Sequence, residues 1–343
     1  MESDAARRVG FIGLGNVGGK LAGSLQRNGF DLIVRDLDPG AMAPFLDAGA
    51  SEASSGAELA ERCEVVITCL PTPAASAAVL EAPDGVLAGF ASTRAANSGA
   101  PAGSAGSGLK IWAEMSTTDH HEVRRLGALV EATGGAAIDC PVSGGCHRAA
   151  TGNISIFAGG ERNTFEAMLP LLTTMGRRIL HTGALGSASI LKVVTNYLAT
   201  ANLVSLCEAL VTSQAAGMDL ATAYEAIRIS SGNSFVHETE SQVILNGSRD
   251  INFTMDLVCK DIGLFADIAA EQGLPLELSP LLVEVFADGA ARYGDREWSP
   301  NIIRRLEEST GRTIAAPGFP AEIVDDEPEV PGAEVEVRRG DKS

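Results

Sequence analysis

Val9-Gly10-Phe11-Ile12-Gly13-Leu14-Gly15-Asn16-Val17-Gly18 is the stretch on which the fold turns. Val9–Ile12 is a short apolar run that reads as a strand, and residues 16–28 read as a helix. Between them stands a GxGxxG made by Gly13, Gly15 and Gly18. That spacing alone is common; placed after a strand and at the start of a helix it is the dinucleotide fingerprint. Gly13 permits the tight turn, Gly15 lets the backbone approach a pyrophosphate, and Gly18 lets helix and strand pack closely. Leu14, Asn16 and Val17 complete the loop, and the helix N-terminus then faces the phosphate charge. Asp36 closes the second strand, eighteen positions after Gly18. A carboxylate there accepts from the ribose hydroxyls and disfavours a 2′-phosphate, which predicts NAD. Arg35 beside it leaves NADP open, although strand neighbours point to opposite faces.

Outward from this turn the chain alternates. Residues 31–35, 64–68, 109–113, 136–140 and 154–158 read as strands with helical patterns between them. Alternation at that spacing predicts an α/β fold: a Rossmann-type, mostly parallel sheet with helices on both faces. From about Gly186 the strand signals stop. Residues 187–216 read as one long helix, with further helices expected over 220–230, 256–272, 279–292 and 300–308. The expected organisation is a cofactor-binding domain over 1–185, an all-helical substrate and dimerisation domain over 186–311, and a disordered acidic tail over 312–343. Residues 89–108 are rich in Gly, Ala and Ser and read as a loop inserted in the first domain.

Composition narrows the function. The 343 residues are 45% hydrophobic and 20% charged, a globular mix able to bury a large core. Forty-four acidic against 26 basic residues leave a net charge of −18. That charge repels phosphate backbones and anionic lipid, so neither nucleic acid nor membrane is an expected partner. No uninterrupted apolar stretch reaches membrane-spanning length. The polar start is expected to hold no signal or transit peptide, and the six cysteines, without CxxC spacing, read as reduced thiols of a cytoplasmic protein. The five histidines form no ligand-spaced set, so no metal site is expected.

The remaining motifs fall in one order: VGFIGLGNVG, Leu70-Pro71 after a strand, Glu114-Met115-Ser116-Thr117, Asp139-Cys140-Pro141-Val142-Ser143-Gly144-Gly145, Lys192 with Asn196, and Lys260-Asp261. Together they resemble the 3-hydroxyisobutyrate dehydrogenase family of β-hydroxyacid dehydrogenases, relatives of tartronate semialdehyde reductase and 6-phosphogluconate dehydrogenase. The resemblance implies that Lys192 is the catalytic acid/base, with Asn196 orienting it or the substrate hydroxyl. Ser143, Gly144 and Gly145 would hold the substrate carboxylate, with Ser116 nearby. Leu70, Pro71, Thr117 and Lys260 would line the cofactor, and Ser234, Phe235, His237 and Trp298 would bear on substrate choice. Two departures stand out: the asparagine follows the lysine by four places rather than three, and the proline expected beyond Ser116-Thr117 is absent.

Physical chemistry agrees with the resemblance where it can be applied. Two consecutive glycines allow a concave backbone that aims donors at an anion. Lys192 sits among apolar neighbours, where desolvation is expected to lower an ammonium pKa from its ordinary value of about 10.4. Ser116 and Thr117 could equally serve as N-caps of the next helix. The expected reaction is reversible oxidation of a short 3-hydroxy acid to a 3-oxo acid or semialdehyde, in a cytoplasmic homodimer or homotetramer. Two alternatives stay open: an NADP-dependent reductase of glyoxylate or succinic semialdehyde, and a non-catalytic dinucleotide-binding scaffold.

Overall fold

Val65–Thr68 and Ile111–Glu114 are buried at every position, as strands covered on both faces must be. The computed structural model describes residues 8–97 and 109–337. Its strands are β1 (Arg8–Ile12), β2 (Asp31–Arg35), β3 (Ser51–Glu52), β4 (Val65–Thr68), β5 (Ile111–Glu114), β6 (Ala136–Asp139), β7 (Val142–Ser143), β8 (Ile154–Gly159), β9 (Gly176–Gly183) and β10 (Ala333–Glu334). They form one sheet in the order β10-β9-β8-β6-β5-β4-β1-β2-β3, with β7 paired to β8. From β3 to β6 every pairing is parallel, while β8 meets β6 antiparallel through Asp139 and Gly159. In register, Ile12, Thr68, Glu114 and Asp139 stand side by side at the carboxyl ends. A mostly parallel sheet of this kind offers its ligand crevice at those ends.

The helices between the strands are α1 (Gly18–Arg27), α2 (Pro39–Asp47), α3 (Gly56–Arg62), α4 (Pro73–Glu81), α5 (Val86–Asn97), α6 (His120–Ala132), α7 (Gly145–Ala150) and α8 (Arg162–Met175). Their starts are set locally. Asp38, Ser55, Thr72 and Asp119 each accept backbone N–H groups of the turn they precede. Asp119, not Ser116 or Thr117, is therefore the cap of α6. Part of the segment expected as a loop from Gly89 is helical, because α5 runs to Asn97; residues 98–108 lie outside the described residues. Gly89 lets α5 pack closely on α3: a Cβ on it would come within 2.3 Å of the Ala57 carbonyl oxygen.

After β9 the chain is helical: α9 (Ser187–Ala215), α10 (Leu220–Arg228), α11 (Phe235–Asn246), α12 (Met255–Glu271), α13 (Leu278–Tyr293), a 3-10 turn over Ser299–Ile303 and α14 (Arg304–Thr310). By compactness the boundary falls within α9. One unit runs to Lys192 and resumes at Asp326; the other is Val193–Asp325. Helix α9 has the length and hydropathy of a membrane span. Its apolar residues Leu203, Leu206, Cys207 and Leu210 lie instead in a core shared with Val258 and Ile262 of α12 and Leu282 and Phe286 of α13. Helix α11, unmarked in the sequence reading, starts where Ser234 accepts the His237 N–H at 3.0 Å. His237 is buried, its Nε2 lies 3.0 Å from the Tyr224 carbonyl oxygen, and burial lowers its pKa. It is a core histidine of this unit.

The acidic tail is not disordered over its described part. Residues 314–321 follow α11: Ile314 is buried, Ala316 N–H donates to the Leu245 carbonyl, and Asn246 and Ser248 donate to the Phe319 and Ala321 carbonyls. Farther on, β10 extends the sheet beside β9. Glu329 accepts from Arg27 and Asn28, and Glu334 pairs with Arg162 at 2.6 Å. Composition counts few apolar groups and many acids; it does not see that the acids face arginines and that a free sheet edge is waiting to be paired.

One half-buried acid of the helical unit carries a measurable consequence. Glu240 on α11 has its Oε2 covered and without a partner, and burial alone pushes its pKa up to about 8. Below the ordinary carboxylate range both folded and unfolded chains hold the proton, and no stability is at stake. As pH rises toward 8 only the unfolded chain has released it, so folding becomes less favourable by an amount on the order of a few kcal/mol. Glu240→Gln should therefore melt close to the parent at pH 4.5 and well above it at pH 8.5. Parallel melting curves at the two pH values would refute this reading.

Candidate active site

The glycines of the first turn are required for different reasons. Gly13 has φ +95°, a left-handed backbone, and a Cβ on it would come within 2.3 Å of the Cys69 carbonyl oxygen. A Cβ on Gly18 would come within 2.0 Å of the Gly13 carbonyl oxygen. Gly15 is different: nothing of the protein stands within 4 Å of where its Cβ would be. The chain itself does not demand a glycine there, whereas a phosphate group drawn close to the backbone would. Asp36 holds this turn in shape. Its Oδ2 accepts from the Leu14 N–H at 2.6 Å and its Oδ1 from the Asp38 N–H at 2.9 Å. A carboxylate has acceptor capacity beyond two bonds, so room remains for a ribose hydroxyl. The Arg35 guanidinium is turned to the Ala53 and Ser54 carbonyls, at 3.1 and 2.5 Å. These residues fit a dinucleotide: an open glycine at the turn, a helix N-terminus behind it, and an acceptor at the end of the next strand.

Two neighbouring loops are tied together by a buried carboxyl that the sequence reading quoted without a role. Glu114 ends β5 with no exposure. Its Oε1 accepts from the Ser116 N–H at 2.9 Å and from the Ser116 hydroxyl in a short bond. That hydroxyl in turn accepts from the Leu70 N–H at 2.7 Å. Leu70-Pro71 and Ser116-Thr117 are thereby linked, with Pro71 exposed and Thr117 half-buried. Burial raises the Glu114 pKa, and the bonds from Ser116 oppose it.

Beyond β6 the chain turns through Ser143, Gly144 and Gly145. Gly144 and Gly145 have φ of +132° and +83°. Side chains rarely adopt such backbone, so both glycines are conformational requirements. Ser143 is held in place by β7 pairing with Ser155 of β8, and α7 opens at Gly145.

Lys192 is 8% exposed, in the second turn of α9. Asn196 lies one turn on, on the same face. In the helical unit the Asn196 amide donates to Asp261 Oδ2, and the Lys260 ammonium donates to Asp261 Oδ1 at 2.6 Å. Asp261 is itself 2% exposed. One buried carboxylate thus fixes both the asparagine and the second lysine, a contact that no sequence motif announces.

The chain is similar to known proteins over most of its length. Residues 8–183 match the NAD binding domain of 6-phosphogluconate dehydrogenase, and residues 186–306 match the NAD-binding region of NADP-dependent 3-hydroxyisobutyrate dehydrogenase. The chain is 29% identical over 309 residues to 2-(hydroxymethyl)glutarate dehydrogenase of Eubacterium barkeri, covering 90% of this chain and 97% of that protein. It is 30% identical over 310 residues to the mitochondrial 3-hydroxyisobutyrate dehydrogenase of Rattus norvegicus, 88% of each. Among solved structures it is similar to Mycobacterium tuberculosis 3-hydroxyisobutyrate dehydrogenase with L-serine, at a TM-score of 0.74 and 27% identity, covering 88% of this chain and 99% of that one.

Proposed function

The chain belongs to the 3-hydroxyisobutyrate dehydrogenase family of β-hydroxyacid dehydrogenases, and from that premise we propose that it oxidises a short 3-hydroxy acid with NAD, reversibly, using Lys192 as the acid/base. It is an NAD(P)-dependent 3-hydroxyacid dehydrogenase; the particular acid and the choice of NAD are the proposal. The observation that carries it is Lys192, an ammonium group buried on a helix one turn before Asn196.

Bound NAD supplies the hydride acceptor at the substrate β-carbon. Lys192, as the free amine, takes the β-hydroxyl proton, leaving a 3-oxo acid or semialdehyde, and returns it in the reverse direction. Asn196, itself held by Asp261, orients Lys192 or the substrate hydroxyl. The hydroxyl of Ser143 and the backbone N–H groups of Gly144 and Gly145 hold the substrate carboxylate, with Ser116 close by. Gly13 to Gly18 take the pyrophosphate, Asp36 the adenosine ribose, Leu70 and Pro71 border the adenosine or nicotinamide ribose, and Thr117 lies near the nicotinamide. Lys260, anchored on Asp261, adds positive charge toward the cofactor in a protein of net charge −18. L-serine, present with the mycobacterial relative, is itself a 3-hydroxy acid, which supports this substrate class.

NAD is favoured by Asp36 and by Arg35 being engaged with the Ala53 and Ser54 carbonyls. NADP is favoured by the description of the family that matches residues 186–306. A homodimer or homotetramer is supported by apolar Leu198, 54% exposed on α9. The deciding experiment is a panel of 3-hydroxy acids assayed with NAD and NADP by absorbance of the reduced nicotinamide. Turnover of at least one acid, faster with NAD, is expected. Reduction of glyoxylate or succinic semialdehyde with NADPH alone would replace the proposal by the reductase, and NAD binding without turnover of any acid by the scaffold.

A further inference from the structure

Asp139 is the last residue of β6 and has no exposure. Its Oδ1 accepts from the Gly186 N–H at 2.8 Å; its Oδ2 accepts from the Ser189 N–H at 2.7 Å and from the Ser189 hydroxyl at 2.8 Å. All three donors belong to the start of α9. A helix start leaves its first N–H groups unpaired and carries partial positive charge, and here one carboxylate from another element answers both. The seat is close-built: a Cβ on Gly159 would come within 2.4 Å of Asp139 Oδ1, and Gly186 reaches its position only with φ +85°. What the carboxylate adds is a fixed relation between the end of β6 and the helix.

That relation joins two parts of the proposed site. Four residues after Asp139 come Ser143, Gly144 and Gly145; three residues after Ser189, on the same helical face, comes Lys192. We infer that Asp139 is a positioning residue: by clamping the first turn of α9 through two oxygens it sets the rotation and axial register of the helix, and so the aim of the Lys192 amine relative to the Ser143–Gly145 turn. The inference rests on the reading of Lys192 as acid/base. It adds a demand of its own, that Asp139 acts through Lys192 and nowhere else. Misplacement of a reacting group by 1 Å costs about a hundredfold in rate, so a clamp this direct should be visible in turnover.

The test is a double-mutant cycle on the full chain, with melting temperature and NAD affinity by fluorescence measured for every variant. Ser189→Ala removes one bond of the three and should lower kcat about tenfold; Asp139→Asn, of nearly the same volume, should lower it about a hundredfold. NAD affinity and the KM for the acid should stay within about twofold of the parent, because neither contact is made by α9's first turn. In a Lys192→Ala background the Asp139→Asn change should cost almost nothing further, since no amine is left to aim. Equal losses in both backgrounds, or a lowered melting temperature with kcat unchanged, would overturn the positioning role. If Asp139→Asn does not fold, Ser189→Ala carries the same comparison. Full turnover in Lys192→Ala alone would instead overturn the acid/base reading itself, a result separable from the first.

Discussion

Lys192→Ala should lower turnover by roughly 10²–10⁴-fold while NAD still binds, because a positioned acid/base contributes on that scale to proton transfer. The residue's burial gives the expectation its force: at 8% exposure little water can substitute for the amine. Helix α9 should survive the change, since alanine is the best helix former and one apolar methyl replaces a charge in a covered position. Stopped-flow or steady-state rates on the active 3-hydroxy acid, together with NAD titration by fluorescence, check both halves. Turnover equal to the parent would remove Lys192 from the chemistry. Loss of NAD binding as well would mean that the residue serves the fold or the cofactor instead. Lys192→Arg is a useful companion: it keeps a charge at the position yet cannot give up its proton at working pH, so it should be nearly as slow as alanine.

The glycine turn should separate folding from cofactor binding. Gly18→Ala places a Cβ 2.0 Å from the Gly13 carbonyl oxygen, a backbone atom that cannot move without opening the turn. Gly13→Ala meets the Cys69 carbonyl oxygen at 2.3 Å and must also hold φ near +95°, a strain of about 1–3 kcal/mol before any clash. Both variants should melt several degrees below the parent. Gly15→Ala has nothing of the protein within 4 Å and should melt with the parent, yet bind NAD at least about tenfold more weakly, because its methyl stands where the pyrophosphate must approach. Thermal melts and NAD titration of the three variants are sufficient. A Gly15→Ala protein with parental NAD affinity would show that the phosphate does not come to this turn.

Sequence patterning carried most of the first unit. Residues 31–35 appear as β2, 154–158 fall inside β8, and 187–216 as α9, because parallel strands are apolar on both faces and a helix repeats its apolar positions every three to four residues. The tail departs from its composition for the opposite reason. Composition reads its acids as solvated charge, while in the fold Glu329 and Glu334 meet Arg27 and Arg162 from segments far away in the chain. Helix α11 went unseen because its core is polar as well as apolar: His237, Thr239 and Ser241 are buried there on local hydrogen bonds.

The proposed site divides along the same line. Gly13, Gly15 and Gly18, Asp36, the Ser143–Gly145 turn and the pair Lys192 and Asn196 are legible in one dimension, since each is a local requirement of residue type and spacing: a turn that only glycine adopts, a helix face shared by positions four apart. The carboxyls that hold these pieces, Glu114 under Ser116, Asp139 under the start of α9 and Asp261 between Asn196 and Lys260, were decided by tertiary structure alone. An acidic residue in a sequence carries no mark of its partner. Only when the chain brings Ser189 to Asp139, fifty positions away, does burial turn a charge that would otherwise be solvated into a fixed point under the start of α9.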